Sequence, residues 1–108
     1  MLESKLQKII LLKLDTYRIT GDVIFFQHLA AESDRHTKAG TPDIIAIINC
    51  KNGKIATLFI ELKRTGVTRL RYTQKKFFED MKGQPMILCV MINDSAQLWP
   101  AIKKARNL

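Results

Sequence analysis

The feature that most restricts the fold is a turn dipeptide, Asn52-Gly53, between two apolar runs rich in β-branched residues. Asn-Gly favours the two-residue turn of a β-hairpin, and β-branched residues favour the strands on either side. The sequence therefore predicts strands over residues 43–50 and 55–63. Pro42 suits a strand entrance, because proline biases the preceding residue toward extended geometry and donates no ladder hydrogen bond.

Three charged residues stand at the open end of this hairpin. Asp43 begins the first strand, and Glu61 and Lys63 lie near the end of the second. A two-residue turn at 52–53 places Asp43 opposite position 62, beside both of them. The register therefore predicts that the three side chains meet at one end of the sheet, and a bulge would bring them onto one face.

Helices are predicted on both sides of the hairpin. Apolar residues recur at three- and four-residue spacing over residues 2–14, which indicates an amphipathic helix. Thr73 as an N-cap and Gly83 as a C-terminal stop predict a second helix. A short strand starting at Val23 and a polar surface loop over residues 32–41 separate the first helix from the hairpin.

The unbroken apolar run over residues 85–93 is typical of a central strand covered on both faces. With the helix before it, this run predicts a right-handed strand–helix–strand crossover, and therefore a strand parallel to residues 55–63. Residues 100–108 are expected to form a short basic helix or tail. The order αβββαβ predicts one α/β domain over residues 1–108, with a mixed central sheet flanked by helices.

The net charge of the chain indicates which kind of partner it binds. Lys and Arg number 18 against 10 Asp and Glu, for a net charge of +8. A small domain this basic favours a polyanionic partner, with nucleic acid as the first candidate. Cations concentrated after the second hairpin strand are expected to contact phosphates. They are Lys63, Arg64, Arg69, Arg71, Lys75, Lys76 and Lys82.

The two cysteines and the lengths of the apolar runs indicate the cellular compartment of the protein. Cys50 and Cys89 lie inside apolar runs without metal-ligand spacing, so both are expected to be reduced and buried, and no zinc site is expected. The sequence shows no signal-peptide pattern and no apolar run long enough to span a membrane. A cytoplasmic protein is predicted.

Two carboxylates and an ammonium group at one site suit divalent-metal chemistry on a phosphate. Their hard oxygen ligands favour Mg²⁺ or Mn²⁺. Such a metal polarises a phosphate and lowers the pKa of a bound water. Lys63 would orient that water or neutralise charge that develops on the phosphate.

The sequences "GTPD", residues 40–43, and "ELK", residues 61–63, resemble the motif of the PD-(D/E)xK nuclease superfamily. The chain is most similar to the virus-type replication-repair (VRR-NUC) branch, through an early Glu3 and through Gln74 in "YTQKKFFEDM". The resemblance spans residues 3–92. It implies a restriction-endonuclease-like core and hydrolysis that leaves a 5′-phosphate and a 3′-hydroxyl.

The resemblance also implies roles for individual residues. The metal ligands would be the carboxylates of Glu3, Asp43 and Glu61 and the backbone carbonyl of Leu62. Lys63 would be the catalytic lysine and Gln74 an active-site polar residue, and Asp43 and Glu61 would also be catalytic. The DNA contacts expected from the basic residues are Arg64, Arg69, Arg71, Lys75 and Lys76.

The substrate and assembly follow from the same resemblance. The chain is similar to small stand-alone members of phage and bacterial type, and this resemblance implies a homodimer that cuts four-way (Holliday) DNA junctions in repair. The Fanconi-associated eukaryotic member acts on flaps instead. The expected protein is thus an Mg²⁺-dependent endodeoxyribonuclease, in a bacterial host cytoplasm if the source is viral.

Other interpretations stay open. Glu61 and Lys63 would otherwise be a solvated pair on a strand face, and Glu3 a first-turn glutamate favoured by the helix dipole. Gln74 would otherwise be a partly exposed first-turn residue. Trp99 is expected to anchor the end of the chain rather than to stack on a base. For the whole chain, the alternatives are a flap or single-strand nicking nuclease, a catalytically silent nucleic-acid-binding module, and a scaffold subunit.

Overall fold

One mixed β-sheet organises the chain in the computed structural model, which describes residues 1–29 and 40–108. The elements are α1 (Glu3–Thr20), β1 (Val23–His28), β2 (Ile44–Asn49), β3 (Ile55–Leu62), α2 (Tyr72–Met81), β4 (Ile87–Ile92), a 3₁₀ turn (Ser95–Gln97) and α3 (Leu98–Arg106). The predicted α/β order is confirmed, and α1 continues beyond its predicted end at residue 14. Most of the predicted polar loop lies outside the described residues.

The sheet order is β1-β2-β3-β4. β1 pairs antiparallel with β2 and β2 antiparallel with β3, whereas β3 and β4 are parallel. The predicted mixed sheet and parallel crossover are therefore confirmed. The prediction that β4 is a central strand is wrong, because β4 forms one edge of the described sheet and only Ile92 in it is fully buried. The other five residues of β4 are half-buried, and α2, which packs against this strand, has no buried residue of its own.

The core lies on one face of the sheet. α1 contributes Leu6, Ile10 and Leu14, which recur at four-residue spacing, and α3 contributes Leu98 and Ile102. Full burial of each such side chain stabilises the fold by about 1.5–3 kcal/mol. These residues cover alternate positions of the two hairpin strands, namely Ile44, Ala46, Ile48, Ala56, Leu58, Ile60 and Leu62.

Aromatic contacts fix the outer helices. Trp99 at the start of α3 stacks on Tyr17 of α1, with ring centroids 5.1 Å apart. This contact confirms the prediction that Trp99 anchors the end of the chain. On the other sheet face, Phe77 of α2 meets Phe59 of β3 edge to face, with centroids 5.0 Å apart. α2 therefore packs on the face that also carries Glu61, because alternate residues of a strand share a face.

Two smaller expectations are also decided by the structure. Both cysteines are free thiols, and Cys50 is buried as expected, whereas Cys89 is only half-buried. That partial burial raises the pKa of the Cys89 thiol to about 11. Among the described residues, no helix is long and apolar enough to cross a membrane.

The hairpin closes through a three-residue loop rather than the predicted two-residue turn. Cys50 N–H donates to the Lys54 carbonyl at 2.9 Å, and Gly53 N–H donates to the Cys50 carbonyl at 3.2 Å. Gly53 has φ +81°, the left-handed conformation that ends this kind of loop and that glycine adopts without a steric penalty. The longer loop moves the register of the whole hairpin by one residue.

The observed register pairs Asn49 with Ile55 and Ile44 with Ile60. Continued by one residue, it sets Asp43 opposite Glu61, whereas the sequence predicted position 62. Since directly opposed residues of an antiparallel pair lie on the same face, the two carboxylates share a face without a bulge.

Gly40 brings the segment before β2 against the first turn of α2. It has φ +88°, and a Cβ atom built on it would lie 2.3 Å from the carbonyl oxygen of Thr73. Real side chains do not approach a backbone oxygen so closely. The absence of a side chain at Gly40 is therefore required for this contact, which holds the entrance of β2 beside α2.

Replacing Gly40 with alanine is expected to destabilise the protein more than the same change at Gly21. Gly21 has a similar φ of +92°, but a Cβ atom there would meet nothing within 4 Å. Gly21→Ala should cost about 1 kcal/mol for the left-handed backbone alone. Gly40→Ala should cost at least about 1 kcal/mol more, because backbone must also move. Urea unfolding of the two variants measures the difference, and equal losses would contradict the close packing.

Candidate active site

Asp43 is held at the entrance of β2 by backbone hydrogen bonds. Its Oδ2 accepts from the Leu62 N–H at 2.7 Å, and its carbonyl accepts from the Leu29 N–H at 2.7 Å. The first bond crosses the hairpin from β2 to β3, and the second ties Asp43 to the end of β1. The carboxylate is thus fixed at the end of three adjacent strands, with the Leu62 backbone beside it.

Glu61 is almost fully buried, with 4% of its surface exposed. Its Oε1 accepts from Gln74 Nε2 at 2.7 Å. Its Oε2 is buried and has no hydrogen-bond partner. A buried carboxylate oxygen without a partner costs free energy, so its retention in a fold is a reason to look for a ligand that would occupy it.

Lys63 is buried beside Glu61 and is also held by Gln74. Only 8% of its surface is exposed. Its Nζ donates to Gln74 Oε1 at 2.8 Å and lies 3.9 Å from Glu61 Oε1. The same Gln74 Oε1 accepts from the Arg71 N–H at 2.8 Å. One amide side chain therefore links the lysine, the glutamate and the start of α2.

This contact also corrects the predicted N-cap of α2. Arg71, not Thr73, occupies the N-cap position, and Thr73 lies inside the first turn. Gln74, three residues after the cap, satisfies the cap backbone N–H through its side chain, as the glutamine of a capping box does. The helix therefore begins where Gln74 can serve both the backbone and the site.

The electrostatics of the site centre on Glu61. Burial, reinforced by the neighbouring Asp43 carboxylate, raises the pKa of Glu61 to about 8, although Lys63 acts to lower it. Glu3 makes a smaller contribution in the same direction as Asp43. Without a cation, the site therefore favours a protonated Glu61 next to Asp43 at neutral pH, as expected for two carboxyl groups that compete for ionisation.

These observations fit a divalent cation. The two carboxyl groups repel one another, and a buried oxygen of Glu61 is free to coordinate. Mg²⁺ characteristically takes only one or two protein carboxylates and keeps several waters. Within residues 1–29 and 40–108, no group of three or more His, Cys, Asp or Glu residues is clustered closely enough to hold a metal. Asp43 and Glu61 lie at the centre of the site. The metal-ligand roles predicted for them, for the exposed Glu3 and for the Leu62 carbonyl stay predictions, as do the catalytic roles of Lys63 and Gln74.

The predicted DNA contacts lie on the connector after β3 and on α2. All of them are exposed, as phosphate contacts require. Lys76 also pairs with Asp80, at 3.5 Å across one turn of α2. Their role in DNA binding stays a prediction. The residues are Arg64, Arg69, Arg71, Lys75 and Lys76.

Two residues that position the site were missed in the sequence. Gly40 allows the close approach to α2, and its signal was a glycine three residues before Asp43. Asn93 was not singled out in the sequence, and its Nδ2 donates to the Val67 carbonyl at 2.9 Å. That bond ties the connector after β3 to the end of β4, and no local pattern could have indicated it.

Comparison with known families places these residues in a common framework. The model of the VRR-NUC domain matches residues 7–92, most of the chain and all of the hairpin, Lys63 and Gln74. The chain belongs to the VRR-NUC family. VRR-NUC domains are nuclease domains with DNA as substrate, and the four-stranded mixed sheet flanked by helices agrees with their restriction-endonuclease-like fold. Glu3 lies outside the matched residues. No curated protein and no solved structure matches the chain.

Replacing Glu61 with glutamine is expected to stabilise the metal-free VRR-NUC domain. The folded protein keeps a proton on Glu61 up to about pH 8, whereas an unfolded glutamate releases it near 4.5. The wild type should therefore lose stability as pH rises between these values, and Glu61→Gln should lack that loss. At pH 7 in EDTA the variant should be more stable than the wild type, and the difference should grow as the pH rises from 5 to 8.

Thermal unfolding from pH 5 to pH 8, in EDTA and in Mg²⁺, measures this effect. The exposed Glu79 provides the matched control, and Glu79→Gln should follow the wild type throughout. Mg²⁺ should raise the Tm of the wild type more than that of Glu61→Gln. A variant that is no more stable than the wild type in EDTA would show that the Glu61 carboxyl is not under electrostatic stress.

Proposed function

We propose that this VRR-NUC domain is a divalent-metal-dependent endonuclease that hydrolyses phosphodiester bonds in branched DNA, acting as a homodimer on four-way junctions. The observation that carries the proposal is the group at the end of the hairpin. Asp43 and Glu61 face one another, Lys63 is buried beside them, and Glu61 Oε2 has no partner.

Asp43 and Glu61 would hold Mg²⁺ or Mn²⁺, joined by Glu3 and the Leu62 carbonyl. When bound, such an ion supplies Lewis-acid polarisation of a phosphate and acidifies a coordinated water. The Leu62 N–H fixes the orientation of Asp43, so one carboxylate is oriented before any ligand arrives. Preorganised ligands of this kind cost no rearrangement when the substrate binds.

Lys63 supplies positive charge at the same place. Its Nζ is fixed by Gln74 and shielded from solvent, so its field at a nearby phosphate is stronger than that of an exposed lysine. It would hold an attacking water or neutralise charge that develops on the phosphate. Gln74 positions both Lys63 and Glu61, and its hydrogen bonds set the distance between them.

A homodimer is supported by symmetry and by the sheet edge. A four-way junction has approximate two-fold symmetry, and a C₂ dimer supplies two sites in matching orientation. β4 is apolar along its length, and an unpaired apolar edge strand is a surface on which another strand can pair. The opposite edge strand, β1, is interrupted by an irregularity between Val23 and Phe25, which makes it the poorer pairing edge.

Replacing Lys63 with alanine is expected to reduce cleavage at least about 100-fold, the usual effect of removing one group that stabilises charge in a transition state. DNA affinity should stay close to that of the wild type, because most phosphate contacts come from exposed residues elsewhere. Single-turnover cleavage and fluorescence anisotropy measure the two quantities. Lys54, exposed in the hairpin loop at the far end of the sheet, provides the control. If Lys63→Ala cleaves DNA at the same rate as Lys54→Ala, Lys63 has no catalytic role.

Cleavage of an end-labelled four-way junction, beside a 5′-flap and a linear duplex, is expected to give paired symmetric nicks that require Mg²⁺ or Mn²⁺ and stop in EDTA. Light scattering should give a dimer, because the two cuts need two sites. If a monomer cleaves only the flap, the proposed metal-dependent hydrolysis still holds, but the four-way junction is not the substrate. Tight, salt-sensitive binding without any product would favour a silent nucleic-acid-binding module, and absence of binding at low salt would favour a scaffold subunit.

A further inference from the structure

A cleft of about 720 Å³ lies beside the candidate active site, between the start of α1 and the connector after β3. We name it the α1 cleft, and its lining is Met1, Leu2, Lys5 and residues 64–67. Arg64 directly follows Lys63, so their Cα atoms are about 3.8 Å apart. Lys5 is in the first turn of α1, which also carries Glu3. The walls of the cleft therefore belong to the two chain segments that also carry Lys63 and Glu3, and Glu3 lies close enough to Glu61 to contribute to its raised pKa.

Hydrogen bonds hold the walls of the α1 cleft in place. The Met1 nitrogen donates to Thr65 Oγ1 at 2.9 Å, and the Thr65 N–H donates to the Met1 carbonyl at 3.1 Å. On the other side, Asn93 donates to the Val67 carbonyl. The connector is thus fastened both to the residues before α1 and to the end of β4. Hydrogen bonds on two sides therefore fix the position of the connector that forms one wall of the cleft.

The lining combines cations with an apolar surface. Lys5 and Arg64 are exposed, and within residues 1–29 and 40–108 neither side chain forms an ion pair or hydrogen bond. Leu2, with 68% of its surface exposed, and Val67 provide apolar contacts. A nucleotide needs both kinds of contact, cations for its phosphate and apolar atoms for its base. A base that is paired and stacked in a duplex does not present its faces to such a cleft.

We propose that the α1 cleft binds an unpaired nucleotide of the DNA strand next to the bond that is cut, with Lys5 and Arg64 contacting its phosphate. The identity of this ligand rests on the nuclease function proposed above. The cleft would then contribute to the choice of substrate. A flap offers unpaired nucleotides beside its branch point, whereas the paired arms of a four-way junction and a continuous duplex must unstack a base, which costs a few kcal/mol.

Lys5→Ala tests the proposal through binding alone, in EDTA, where no bond is cut. Fluorescence anisotropy compares a 5′-flap DNA with a blunt duplex of equal length. The variant should bind the flap about tenfold more weakly, the usual effect of losing one charged hydrogen bond, and the blunt duplex within about twofold of the wild type. The slope of log affinity against log salt for the flap should fall by about 0.7, as for one lost contact to single-stranded phosphate.

Lys8 is the matched control, because it is an exposed lysine of α1 outside the cleft lining. Lys8→Ala should not change the ratio of flap to duplex affinity. Val67→Glu provides a second variant, which places negative charge in the cleft and should lower flap affinity selectively. Thermal unfolding checks that each variant is folded.

The possible outcomes separate the two proposals. Losses for Lys5→Ala that are equal on flap and duplex, or no larger than those for Lys8→Ala, would overturn the cleft proposal even in a protein that cuts junctions. Selective loss on the flap supports binding of an unpaired nucleotide in the cleft. In a protein that cuts nothing, the same result would retain that binding, while the nuclease proposal and the position beside a cut bond would fall.

Discussion

The buried carboxylate of Glu61 is the constraint on which the rest of the site depends. Removing an ionised group from water costs several kcal/mol unless partners compensate. Here Gln74 and Lys63 both approach Oε1, Asp43 repels the ionised form, and Oε2 has no partner. Without a cation Glu61 is therefore held protonated at neutral pH, and its carboxyl can hydrogen-bond to Asp43. It is the ionised form of Glu61 that the protein alone leaves unsatisfied. A cation held by the two carboxylates, as proposed, would compensate the charge of the ionised pair, so the arrangement that disfavours an ionised Glu61 in the metal-free fold would favour metal binding.

Gln74 couples the site to the secondary structure around it. Its Oε1 accepts from both Lys63 Nζ and the Arg71 N–H, and its Nε2 donates to Glu61. The hydrogen bonds that start α2 are thus also the ones that orient the lysine and the glutamate. The Phe59–Phe77 contact, one turn further along α2, seats the helix on the same sheet face. A change at the start of this helix therefore alters charges that lie on a different element.

The sequence correctly predicted which side chains come together at the end of the hairpin, but not the register that brings them together. Hydrophobic spacing and the Asn52-Gly53 turn are local signals, and they predicted the element order, the hairpin and the meeting of Asp43 with Glu61 and Lys63. The register was wrong by one residue, because the same dipeptide also suits a three-residue loop in which only the glycine is left-handed. The position of β4 was wrong because an apolar run does not distinguish an edge strand from a central one. The Gly40–Thr73 approach and the Asn93–Val67 bond join segments far apart in sequence, so no local pattern specified them.

The charges of the protein account for the attraction of DNA in general but not for the selection of branched DNA over a duplex. In the proposed mechanism the exposed cations on the connector and α2 would attract any DNA, and the net charge of +8 would strengthen this attraction at long range. Close to the site the sign reverses, because Asp43 and Glu61 repel a phosphate until a cation lies between them. Metal and DNA should therefore strengthen each other's binding, and by thermodynamic linkage the effect must be reciprocal. Neither term distinguishes a branch from a duplex, since both act on phosphates that every DNA carries. In the proposed mechanism that distinction comes from geometry: the α1 cleft, which accepts a base only where the strand has left the helix, and the spacing of two sites in a dimer.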